Sequence, residues 1–153
     1  AAIRLLLAPG GAQIYYGDEL ARPLRVPGAE GDANLRSVMN WEDLERGGGT
    51  ARLLEHWRLL GRFRRAHPAV GAGTHRTLRE SPYVFTRTLR LAEREDRVLV
   101  ALDQRGSVQI PVFGVYPEGA ELVDAYTGEA AVVRDGVVAL SRARGPVLLS
   151  GRR

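Results

Sequence analysis

The apolar pattern of this chain changes period at Gly73, and no other feature restricts its folding as much. Before that point apolar residues recur at helical spacing, and after it they alternate. Segments 75–78, 83–89, 97–103, 108–112, 121–126, 130–133, 137–140 and 146–150 read as strands bounded by Gly, Pro, Asp and Ser. Asp135-Gly136 joins two of them as a tight hairpin signal. About eight short strands in roughly eighty residues predict an all-β antiparallel, Greek-key-like sandwich.

Before Gly73 the order of elements is that of an α/β protein. Residues 1–8 read as the last two turns of a buried helix, stopped by Pro9-Gly10-Gly11. Residues 13–16 form a continuous apolar strand of the kind expected when both faces are covered, as in a parallel sheet. From 17 to 49 no periodicity survives, and Pro23, Pro27, Gly28, Gly31 and Gly47-Gly48-Gly49 punctuate the stretch. A loop of about thirty residues inside a compact domain points to function, with a short helical turn expected over 41–44. The strongest helix follows, with Thr50 as its cap and Leu53, Trp57, Leu60 and Arg64 on one stripe, widened by Leu54, His56, Leu59 and Phe63. It ends near His67, because Pro68 disfavours helix just before it. The fold class is α+β: a terminal βα piece of a (β/α)8 barrel over 1–70, then the sandwich over 71–153. A complete barrel needs roughly 250 residues and does not fit in this chain.

Composition narrows the function classes. The 153 residues carry no cysteine, which excludes disulfides and thiolate metal sites and leaves the redox compartment open, with the cytoplasm favoured. The net charge of +4 invites a nucleic-acid partner, but all 22 basic residues are arginine and they alternate with acids, as in Arg90, Glu93, Arg94, Glu95, Asp96 and Arg97. The densest cluster, around Arg62, Arg64 and Arg65, reads as the solvated face of a helix, so no nucleic-acid partner is expected. No run reaches the ~20 apolar residues of a membrane span. The apolar start is too short for a signal peptide and there is no initiator Met, so a beginning upstream of residue 1 is expected.

Two blocks carry a family likeness. The run Gly10-Gly11-Ala12-Gln13-Ile14-Tyr15-Tyr16-Gly17-Asp18-Glu19 resembles the G-x-P-x-I-Y-Y-G-x-E segment on the eighth barrel strand of the α-amylase family of glycoside hydrolases. The block Arg36-Ser37-Val38-Met39-Asn40-Trp41 is similar to its R-x-P-M-x-W, and Arg64-Arg65-Ala66-His67-Pro68-Ala69-Val70 to the phrase R-x-x-H-P-A-L that closes the next helix. Ala12 and Val38 replace prolines of that pattern. The resemblance implies the C-terminal portion of a retaining hydrolase of α-glucosidic bonds. It would bind an α-glucan or oligosaccharide through the parent enzyme, with the remainder of the catalytic barrel as partner. The family's nucleophile, acid/base and third carboxylate lie on earlier strands, so no catalytic residue is assigned here and the fragment is expected to be inactive. Glucosyl transfer, isomerisation and a non-enzymatic carbohydrate-binding or scaffold module, stacking sugar on Trp41 or Tyr116, stay open as alternatives.

Within the chain, Arg36 is the substrate-contact candidate, since a guanidinium can give paired hydrogen bonds to hydroxyls or hold a carboxylate ionised; it could equally pair with Asp32 or Glu42. Tyr16 and Trp41 offer stacking faces, or serve as loop anchors. Gly17, Glu19, Met39 and His67 are read as structural members of the motifs, His67 as the cap of its helix end. Asp18-Glu19 is a poor catalytic pair, because neighbours on an extended chain point to opposite sides. No cofactor is expected, and no metal: His56, His67 and His75 have no ligand spacing, and the acids Glu30, Asp32, Glu42 and Asp43 lack that of an EF-hand. Taken without its upstream strands, segment 1–70 should expose strand edges and apolar surface, and so be partly disordered or self-associate.

Overall fold

The period change at Gly73 is where the sheet begins. The computed structural model describes residues 1–152. Ahead of the sheet lie α1 (Ala2–Leu6), 3-10 turns at Asp18–Leu20 and Gly31–Arg36, α2 (Trp41–Glu45), α3 (Gly49–Ala66) and α4 (Ala69–Ala72). The strands are β1 (Thr74–Arg79), β2 (Val84–Leu91), β3 (Arg94–Pro111), β4 (Glu121–Asp124), β5 (Ala130–Val132) and β6 (Val137–Gly151). All pair antiparallel in one sheet of order β1-β2-β3-β6-β4-β5.

The eight expected segments become six strands in one sheet, which corrects the expectation of two separate sheets. Segments 97–103 and 108–112 are both β3, and 137–140 and 146–150 are both β6. The β3–β6 register shifts between Ala101 and Gln104 and again between Gly106 and Val108. Asp103 at φ 55° and Gly106 at φ 70° mark these bulges, where polar residues interrupt the alternation and imitate a turn. The bulges bend the sheet, so its two halves share one core: Leu99, Ala101, Val147 and Leu149 join Ile110, Val138, Leu122 and Val133. The Asp135-Gly136 hairpin forms as the sequence indicates, with both residues at positive φ between the bridged pair Arg134 and Val137.

The opposite face of the same strands carries the helices. Val98, Val100 and Leu148 pack with Leu6 of α1, Trp57, Leu60 and Phe63 of α3, and Val70 of α4. With both faces covered, Val98-Leu99-Val100-Ala101 and Val147-Leu148-Leu149 are uninterrupted apolar runs. Asp124 is fully buried and satisfied by its surroundings. It accepts from Leu148 N at 2.8 Å, Tyr126 N at 3.1 Å, Thr127 N at 3.2 Å and the Thr127 hydroxyl at 2.6 Å, pinning the turn after β4 to β6.

Four local expectations change. Thr50 is not the cap of α3; Gly47 and Gly48 both take positive φ and start the helix at Gly49. The first helix stops at Leu6, and its free carbonyls are taken by arginines: Arg64 donates to Leu6 O and Ala8 O at 2.8 Å and to Gly10 O, while buried Arg87 donates to Leu7 O at 2.6 Å and to Val70 O. Arg64 is therefore off the solvated face, placed where a cation offsets the negative end of the helix dipole. Tyr116 is half-buried against the main core: its hydroxyl donates to Arg97 O at 3.0 Å, and burial pushes that hydroxyl's pKa up. Residues 13–16 form no strand. Every ladder lies beyond residue 73, so this segment has no neighbour with which to exchange hydrogen bonds, and Ile14, Tyr15 and Tyr16 are exposed. The end of α3 is as expected, with His67 extended ahead of Pro68.

Candidate functional site

The long loop folds around Arg22, which is 6% exposed. Its Nε donates to Tyr16 O at 3.0 Å, Nη1 to Ser37 O at 2.8 Å and to the Ser37 hydroxyl, and Nη2 to Leu35 O at 3.0 Å. The guanidinium also lies over the Tyr16 ring, 4.0 Å from its centroid. A rigid five-donor fork is what joins two separate strands of loop through their carbonyls, and a lysine could not do so. Gly17 makes room for it. At φ 88° it occupies a left-handed conformation, and a Cβ there would fall 2.5 Å from Arg22 Nε. Glu19 completes the turn by accepting from Gly17 N at 3.0 Å.

The Tyr15 and Tyr16 hydroxyls extend this network. Tyr15 donates to Leu35 O at 3.1 Å and Tyr16 to Ser37 O at 3.0 Å, so Arg36 is held between two fixed carbonyls. Arg36 itself is exposed, and among the described residues its guanidinium has no hydrogen-bond or ion-pair partner. Neither Asp32 nor Glu42 pairs with it; Glu42 bonds Arg46 at 3.1 Å. Trp41 opens α2 with its side chain 58% exposed, and Val38, between Arg36 and Met39, is 87% exposed. Met39 is half-buried. Next to it, Asn40 donates to Leu20 O at 3.2 Å and Asp43 Oδ2 at 2.8 Å. Both partners are acceptors, which fixes the amide orientation and leaves Asn40 Oδ1 buried without a donor.

The loop thus brings together Tyr16, Gly17, Glu19 and Arg36, with Met39 and Trp41 beyond Val38. His67 lies elsewhere, at the junction of α3 and α4. It bonds Asp96 Oδ1 at 2.8 Å, while Asp96 Oδ2 accepts from Ala69 N at 2.8 Å. His56 bonds the Tyr126 hydroxyl at 2.8 Å, and its pKa is lowered by burial first and then by the N-terminal charge. His75 is lowered by burial and by Arg87. Among the described residues no group of three or more His, Cys, Asp or Glu could hold a metal ion.

Sequence reasoning missed Arg22, Ser37 and Asn40. The available signal was a lone arginine against Pro23, five residues after Gly17 and between an apolar strand-like segment and its return. Comparison with known proteins gives the wider setting. No family model matches the chain. It is 44% identical over 101 residues to the periplasmic alpha-amylase of Escherichia coli (strain K12), a match covering 65% of this chain and 14% of that protein. A crystal structure of an Anoxybacillus alpha-amylase superposes on 98% of the chain with a TM-score of 0.65 at 23% identity, over 31% of its own length. An alpha-amylase from Geobacillus thermoleovorans, complexed with acarbose, does so over 98% of the chain and 32% of its own, with a TM-score of 0.67 at 18% identity. The chain therefore spans a minor part of each of these relatives.

Proposed function

The chain belongs with the α-amylase family of glycoside hydrolases, as a C-terminal portion of such an enzyme, and from that premise we propose that its loop over 13–41 forms one wall of a cleft for α-glucans or oligosaccharides. Residues 1–70 are then the end of the catalytic barrel, and 71–153 the β domain that follows it. Residues 13–16, which lie outside any ladder here, become the eighth barrel strand once neighbouring strands are supplied.

The observation that carries this reading is Arg36: exposed, uncommitted, and held in place by a network centred on a buried arginine. A free guanidinium flanked by exposed Val38 and Trp41 has donors for sugar hydroxyls and an apolar edge for a ring face. Exposed Ile14, Tyr15, Leu24 and Leu35 fit a surface that the remainder of the barrel covers. In such an enzyme hydrolysis with retention proceeds by double displacement, one carboxylate attacking the anomeric carbon and a second protonating the leaving oxygen. Asp18 and Glu19 do not supply that pair, since Glu19 is bonded to the Gly17 amide. The reaction's carboxylates come from outside these residues, and the isolated chain is inactive. Incubated with maltooligosaccharides, the purified chain releases no glucose or maltose; measurable release would refute this reading.

The exposed Trp41 ring supports a second reading, a free-standing carbohydrate-binding module. Titration with maltooligosaccharides separates the two. The enzyme-tail reading expects almost no binding without the rest of the cleft, and the module reading expects saturable binding that Trp41→Ala abolishes.

A further inference from the structure

We infer that the cleft at the junction of α3 and α4 is a binding site for a phosphate dianion or a phosphate monoester, separate from the loop that carries Arg36. This cleft, of about 870 Å³, lies between the end of α3, the β2–β3 turn and the end of β6, and shares no residue with loop 13–41. Arg65, Arg94, Arg97 and Arg152 line it, against the acids Glu95 and Asp96.

Every oxygen of these two acids already has a hydrogen-bond partner. Asp96 spends one oxygen on His67 and the other on Ala69 N. Glu95 spends one on Arg90 Nε, at 3.0 Å, and the other on Arg97. Arg97 is further fixed by Val115 O, and Arg152 pairs with Glu121 at 3.3 Å. Arg65 and Arg94 remain, and among the described residues neither has a hydrogen-bond or ion-pair partner. The cleft therefore holds four guanidinium groups against two carboxylates, with the donors of Arg65 and Arg94 unused. Planar forks with unused N–H groups match the oxygens of a phosphate in paired hydrogen bonds, and a neutral sugar leaves the charge surplus unanswered. The floor beneath them is rigid, because His67 and the first residue of α4 are locked onto Asp96.

Calorimetric titration of the chain at low ionic strength tests this with three probes: inorganic phosphate, glucose 6-phosphate and glucose. Saturable binding of the two phosphate compounds and none of glucose is expected. Equal affinity for both identifies the free anion as the ligand, and tighter binding of the ester identifies a phosphorylated sugar. Arg65→Gln with Arg94→Gln weakens binding by roughly tenfold or more, as loss of charge-assisted hydrogen bonds requires, while Arg36→Gln leaves it unchanged. Absence of phosphate binding, or affinity indifferent to the double substitution, overturns the inference. Activity assays on maltooligosaccharides do not report on this site, so its failure and the failure of the sugar-cleft reading are distinguishable.

Discussion

Replacing Arg22 with alanine should loosen the loop and leave the sheet intact. The magnitude follows from what remains to satisfy each carbonyl. Leu35 O keeps the Tyr15 hydroxyl and Ser37 O keeps the Tyr16 hydroxyl. Tyr16 O has no other donor among the described residues and is orphaned. A carbonyl left unsatisfied, plus the lost stacking of the guanidinium on Tyr16, costs about 2–3 kcal/mol, the lower end applying if water reaches the space vacated. Hydrogen exchange reads this directly. Protection at the amides of Leu20, residue 22 and Val26 should fall roughly 30- to 150-fold, the equivalent of that free energy. Amides of Val98, Val100 and Ala101 in β3 should be unchanged, because Arg22 belongs to neither core. Arg22→Lys, which keeps charge but not the fork, should recover less than half of the protection. Unchanged exchange in the loop of the alanine variant, or equal loss in β3, would refute the hub assignment.

Asp124→Asn should lower the unfolding free energy by about 1–3 kcal/mol, seen as a lower urea midpoint with m unchanged, because an amide NH2 cannot accept from Thr127 N or Leu148 N, whichever side it takes. Stability should also fall on acidification between pH 7.5 and 5.5. The folded-state pKa values of His56 and His75 lie below the ordinary 6.5, so the unfolded chain binds protons there that the folded chain does not. Glu95, held low first by its hydrogen bond from Arg90, and Glu129, held low first by the Ser141 amide, contribute only in more acidic solution. The melting temperature of the double variant His56→Gln, His75→Gln should therefore be nearly flat across that interval; a slope equal to wild type would exclude the histidines as its source.

The sequence makes some of this plain and hides the rest for physical reasons. Periodicity locates α3 and the sheet because burial imposes it, and Asp135-Gly136 is legible because a two-residue hairpin demands positive φ. Strand number is misread where the bulges around Asp103 and Gly106 put polar residues inside β3. The apolar run at 13–16 looks like a strand, but a strand exists only where another chain segment accepts its hydrogen bonds, and pairing is not a local property. Arg36, Tyr16 and Trp41 stand out through motif likeness. Arg22 does not, because its work is done by contacts with Leu35 and Ser37, more than a dozen positions away. Arg64 is hidden in the same way, counted with the solvated face until its carbonyl partners are seen, and nothing local marks Arg87 as the donor to Leu7 O and Val70 O.

The central pairing of β3 with β6 has a consequence for how the chain is made. Val98 lies opposite Ser150 and Pro111 opposite Val137, so the two strands on which both apolar layers depend are far apart in sequence. During synthesis α1, α3 and β1 to β5 emerge before their seat is finished. Val98 and Val100 have no flanking Leu148, and Leu99 and Ala101 no Val147, until β6 leaves the ribosome. Closing such distant partners carries a loop-entropy cost that is recovered only when they pair. Both apolar layers over β3 therefore stay open until β6 is available to pair with it.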